Sequence, residues 1–122
     1  MQSATQTYKN VARKTSNLRE LEANLLLQAA ARLQSVRDTW DGSASLLGEA
    51  LLFNRKLWSV FLSEMTDSNN PMPRNVRQNV ANLGLFVMNH TIEVQASPAA
   101  DKLDVLIAIN RQLAAGLRAA QR

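Results

Sequence analysis

The chain contains no cysteine, which excludes a disulfide scaffold, thiolate catalysis and sulfur-ligated zinc. A single histidine, His90, leaves the usual acid–base and metal-ligating repertoire nearly empty. Glycine and proline are scarce, with 4 and 3 residues, which argues against a succession of tight β-turns. No apolar run approaches a membrane span; Leu25–Leu27 and Leu83–Met88 fall far short of the roughly 20 residues required. The leading segment also lacks the continuous apolar stretch of a signal peptide. These absences predict a soluble, cytoplasmic binding protein rather than an enzyme, with no cofactor, no metal and no membrane insertion.

What is present fits one compact domain. The 122 residues are 46% hydrophobic and 20% charged, an ordinary globular balance. The formal charge of +4 is concentrated at one end: Lys9, Arg13, Lys14 and Arg19 precede the first acid, Glu20. Beyond that point acids and bases cancel. We therefore separate a basic N-terminal arm, residues 1–16, from a helical domain, residues 17–122. The arm offers Tyr8, Lys9, Arg13 and Lys14 to an acidic partner or an anionic surface. Direct RNA contact is disfavoured, because the charge is thin and only Tyr8 can stack on a base.

Apolar periodicity and punctuation predict four helices. The first spans about Leu18 to Thr39, with Asn17 as N-cap and Glu20 completing a capping box. Its apolar stripe is Leu18, Leu21, Leu25, Ala29, Leu33, Val36 and Trp40. After Asp41-Gly42-Ser43, a second helix runs from about Ala44 to Met65, capped by Ser43 or Ser45. The segment Thr66 to Pro73 breaks the chain with two prolines. Pro73 then opens a third helix reaching about Gln95, with Val76, Val80, Leu83, Val87, His90 and Val94 on its stripe. Gly84 inside that helix implies a close crossing. Ser97 as cap and Pro98 at the first position start a fourth helix ending near Leu117 or Ala120. Short connections predict an all-α antiparallel bundle, with the arm as coil or a short extra helix. Leu25, Leu33, Trp58, Phe61, Leu83, Val87, Leu106 and Leu113 form the expected common core.

Two polar residues interrupt the apolar stripes in the same way. Leu47, Ala50, Asn54, Leu57 and Phe61 occupy heptad positions a, d, a, d, a, as do Leu103, Leu106, Asn110, Leu113 and Leu117. Arg55 and Arg111 follow the two asparagines. An asparagine at an a position fixes register at a cost in stability, because its amide needs a mate. Either Asn54 and Asn110 meet inside the bundle, or they line a groove and contact a partner helix. If they meet, replacing both by leucine is expected to be neutral or stabilising. Trp58 and Trp40 suit core anchors or interface contacts. With Arg55 and Arg111 on the rim, Asn54, Trp58 and Asn110 form the candidate partner-binding set. His90 and Glu93 make an H-x-x-E pair, too few ligands for a metal and better read as a structural histidine.

Longer strings carry a family resemblance. Tyr8, Leu18-Arg19-Glu20-Leu21-Glu22 and Ala50-Leu51-Leu52-Phe53-Asn54-Arg55-Lys56-Leu57-Trp58 resemble the FlaF family of flagellar biosynthesis regulators. So do Pro73 with Val76-Arg77-Gln78-Asn79-Val80, Asn82-Leu83-Gly84, and Leu106-Ile107-Ala108-Ile109-Asn110-Arg111. The resemblance runs in order from Tyr8 to about Leu117. It implies a cytoplasmic alphaproteobacterial protein that supports flagellin production and export. Family members act after transcription together with FlbT, and associate with flagellin as a chaperone would. The expected partners are therefore flagellin, through its terminal helices, and FlbT. The alternative is a regulator acting on flagellin mRNA. The family supplies no catalytic residues.

Overall fold

A computed structural model describes residues 3–42 and 44–120; the side chains of residues 7–16 lie outside that description. Helix α1 spans Ala4–Asp38, α2 Ala44–Met65, α3 Arg74–Ala96 and α4 Asp104–Ala119, with a 3-10 turn at Ala100–Leu103 before α4. The fold is the all-α bundle expected, and among the described residues it contains no strand. Side-chain pairings fix the directions. Arg37, Gln34 and Asn24 of α1 meet Asp104, Arg111 and Arg118 of α4, so the first and last helices are antiparallel. Arg32 lies over the Phe53 ring and the Glu22 carboxyl faces Glu64, so α1 and α2 are antiparallel too. It follows that α2 and α4 run parallel. The closest packing joins α1 to α4, then α2 to α3, and α1 to α2.

Helix α1 starts fourteen residues earlier than the first apolar stripe suggested. Its N-cap is Ser3, whose Oγ accepts from the Gln6 backbone N–H at 3.1 Å, and the helix passes unbroken through Asn17. Asn17 is thus an exposed helical residue rather than a cap. The segment read as an arm is helical backbone continuous with the bundle. Tyr8, Lys9, Arg13 and Lys14 themselves fall outside the described side chains.

The inner face of α1 is Ala23, Leu26, Ala29, Ala30 and Leu33, whereas Leu18 and Leu21 are exposed and Leu25 is half-buried. Alanines let helix axes approach closely, which is why the buried stripe tracks small residues as much as leucines. Helix α3 shows the same effect. Its buried positions are Val80, Gly84, Val87, Thr91 and Val94, so Leu83 is displaced to the flank at 38% exposure instead of joining the core. The reason is the crossing at Gly84. A Cβ there would stand 2.6 Å from Leu62 Cδ2 of α2.

The connections follow the local chemistry. Gly42 takes a positive φ of 77° to turn the chain between α1 and α2, and Ser43 lies outside the described residues. After α2, Asp67 Oδ1 accepts from Asn69 N and Asn70 Oδ1 accepts from Met72 N. These Asx turns stiffen the proline-bearing loop. Pro73 is the N-cap of α3. The fourth helix starts later than expected: Ser97 ends α3, Pro98 precedes the 3-10 turn, and α4 begins only at Asp104. Asp104 then places its carboxylate both at the N-terminus of α4, where the dipole favours it, and against Arg37 at 2.8 Å.

Candidate functional site

The parallel run of α2 and α4 brings Asn54 and Asn110 to the same level of the bundle. Asn110 Nδ2 donates to Asn54 Oδ1 at 2.7 Å, and both residues are fully buried. The heptad spacing foretold this meeting. It did not foretell the third member: Trp58, one turn beyond Asn54 on α2, donates its indole N–H to Asn110 Oδ1 at 2.8 Å. Asn110 is therefore the hub, accepting from one side and donating to the other. Asn54 Nδ2 is left buried without a partner among the described residues. Replacing both asparagines by leucine would strand the indole N–H, which argues against the neutral outcome expected from the sequence. Of the candidate contact residues, Asn54, Trp58 and Asn110 lie wholly inside, while Arg55 and Arg111 are exposed.

One to two turns further along α2 and α4, the core opens into a cavity of about 210 Å³ at one end of the bundle. Phe61 and Met65 of α2, Met72 of the loop, Val76 and Val80 of α3, and Leu113 and Leu117 of α4 make its walls almost entirely apolar. Gly116 and Ala120 keep the α4 side low, and nothing lies within 4 Å of where a Gly116 Cβ would stand. Leu18, exposed, stands one turn before Glu22 on the same side of α1, and Val76 is exposed on α3. Both extend the apolar surface outward.

The polar wall belongs to α1. Glu22 is 5% exposed and ion-pairs with Arg19 through Oε1 at 2.7 Å, and among the described residues its Oε2 accepts from no ionised or amide donor. Glu64 of α2 faces it. Burial, then the hydrogen bond to Glu22 and the Glu22 charge, push the Glu64 carboxyl up to about 7, against an opposing pull from Arg19. Arg19 and Glu22 thus stand at the cavity wall, with the Glu64 carboxyl behind Glu22 and within the field of the same guanidinium. Sequence reading missed this pair, because Glu22 and Glu64 are 42 positions apart and each looks like a solvated helix charge. The signal available was Glu22 lying one residue before Ala23, on the small-residue face of α1.

His90 and Glu93 are tied to one residue. His90 Nε2–H donates to the Lys102 carbonyl at 2.7 Å and its ring stacks on Phe86, while Glu93 accepts from Lys102 Nζ at 3.0 Å. They clamp the 3-10 turn against α3. Among the described residues, no group of three or more acidic, histidine or cysteine side chains is placed to hold a metal ion. No helix in the described residues is long and apolar enough to cross a membrane.

A bundle of four helices, with an amide seam sealed at mid-height and an apolar cavity at one end, defines a small all-α helical-bundle protein. Residues 4–117 match the family model described as flagellar protein FlaF, and the chain belongs to that family. Its setting is accordingly flagellar. No curated protein and no solved structure matches the chain.

Proposed function

We propose that the protein binds flagellin in the cytoplasm as an export chaperone, and so couples flagellin synthesis and secretion to filament assembly. It acts by binding, without covalent chemistry or a cofactor. Family membership supplies the flagellar setting. The observation that most supports a binding role is the apolar end cavity, bordered by exposed Leu18 and Val76 and lying just past the asparagine seam. Exposed apolar surface beside a preformed concavity suits the apolar face of a partner helix. Purified flagellin, with and without its terminal helices, tests this directly. Capture of the full protein and loss of capture without those helices is the expected result; equal capture of both forms, or none, overturns it.

A second reading is post-transcriptional: regulation of flagellin mRNA, directly or through FlbT. The concentration of the whole +4 charge in the first nineteen residues favours it. Salt separates the two. Contact of RNA with that segment weakens steeply with added salt through counterion release, whereas helix docking on an apolar cavity changes little.

A further inference from the structure

The end cavity and the carboxyl pair are one site. The cavity holds a single large side chain, since about 210 Å³ is the size of one aromatic or two small aliphatic groups. Its walls offer such a group dispersion contacts on four helices and a loop. At its edge stands a charge imbalance among the described residues: Glu22 and Glu64 against Arg19. Apart from a proton on Glu64, the buried Glu22 Oε2 has no donor among the described residues, which costs free energy unless something supplies one. Two devices do so. In the free protein the proton of Glu64 serves the pair; in a complex, an incoming cation would serve both carboxylates and complete the charge balance.

We infer that the cavity receives an amphipathic helix of the bound partner, which inserts one large apolar side chain between Val76 and Leu113 and sets a lysine or arginine, one turn away, on Glu22 and Glu64. This deepens the flagellin-binding reading and rests on it. The complementarity is chemical as well as steric. Helical residues one turn apart project from the same face, so one apolar anchor and one cation reach the cavity and its carboxylate wall together. The exposed side chain of Leu18 then covers the anchor's neighbour, excluding water from the ion pair. Docking also displaces the proton held by Glu64, so binding near pH 7 releases a fraction of a proton.

Gly116 allows a clean test. Leucine at that position has room at its Cβ and a better helix propensity, so Gly116→Leu folds at least as well as the natural chain while plugging the cavity. Gly48 on α2 is an equally open glycine that does not line the cavity, and Gly48→Leu is the matched control. Flagellin binding to the full chain is measured by titration calorimetry near pH 7 in phosphate and in Tris, whose protonation heats differ. The expected result is at least a tenfold loss of affinity for Gly116→Leu and none for Gly48→Leu. Glu22→Gln is expected to weaken binding about fivefold and to abolish the buffer-dependent heat. If the natural chain fails to bind flagellin, the chaperone reading itself falls. If it binds and Gly116→Leu binds equally well, the cavity inference alone falls. Should the natural chain sediment as a dimer that Gly116→Leu dissociates, the occupant is a second copy and the proposal is overturned.

Discussion

The core carries polar groups at two levels, and they are handled in opposite ways. At mid-height, neutral amides and an indole bond one another within a sealed interior, leaving one neutral donor, Asn54 Nδ2, over: Asn54, Asn110 and Trp58 are all at 0% exposure. At the cavity end, ionisable groups meet where the interior opens, and their pairing is incomplete. Neutral groups can be buried for the cost of a few fixed rotamers once each finds a partner. Charged groups cannot be sealed so cheaply, and here they sit where solvent or a ligand can reach. The first arrangement fixes a structure; the second leaves a site able to respond.

Breaking the sealed level should have the largest effect. Trp58→Ala removes a fully buried ring and the donor to Asn110, and is expected to cost about 3–5 kcal/mol in chemical denaturation. Next comes the hub. Asn110→Leu strands both the indole N–H and Asn54 Oδ1 and should cost about 3 kcal/mol, whereas Asn54→Leu strands only one donor and should cost about 1 kcal/mol. Equal costs would remove Asn110 from the centre of the network. The double leucine variant should stay below wild-type stability, because the indole still lacks its acceptor.

Gly84→Ala lies at neither polar level and isolates steric cost. The alanine gains about 1 kcal/mol of helix propensity, but its Cβ would stand 2.6 Å and 2.8 Å from Leu62 Cδ2 and Cγ. A net loss of about 1 kcal/mol is expected, reversed when Leu62→Ala is added.

The open level should respond to pH instead. Glu64 is held at about 7, above its ordinary value of 4.5, so the folded chain keeps a proton the unfolded chain releases. Its contribution to stability is complete below pH 4.5 and is lost as pH rises through 7. Glu64→Gln should therefore flatten stability across that window and exceed wild type above it. Glu64 is only half-buried, so screening keeps the difference to about 1 kcal/mol. Thermal melts at pH 5 and pH 8 measure it. Smallest of all is removal of residues 1–14: α4 ends at Ala119, with Arg118 beside Asn24, so those turns of α1 run past the last residue of their closest neighbour. Cooperativity should be retained, with a change of about 0.5 kcal/mol or less.

The sealed level was legible in the sequence because it obeys periodicity. Two heptads with asparagine at the same a position announce a meeting, and the bounds of α2 follow from its punctuation. The indole partner was not legible, because an i, i+4 tryptophan reads as bulk rather than as a donor. The open level escaped for a different reason. It depends on α1 and α2 placing two distant carboxyls together, which no local pattern encodes. Small residues hid the rest: Ala23, Ala30 and Gly84 define inner faces that counting leucines assigns to Leu18, Leu21 and Leu83.

The pairing of first helix with last has a consequence for the order of folding. As the chain leaves the ribosome, α1, α2 and α3 are complete before Asn110 exists, and the amide of Asn54 and the indole of Trp58 must remain hydrated until α4 arrives. Closing α1 on α4 spans most of the chain and is the step with the greatest loss of chain entropy. Asn110 then acts as a register gauge. A slip of one residue would set Ile109 or Arg111 against the waiting amide, and the misaligned helix would leave polar groups buried and unpaired. Assembly of the four helices therefore ends with a proofreading contact supplied by α4.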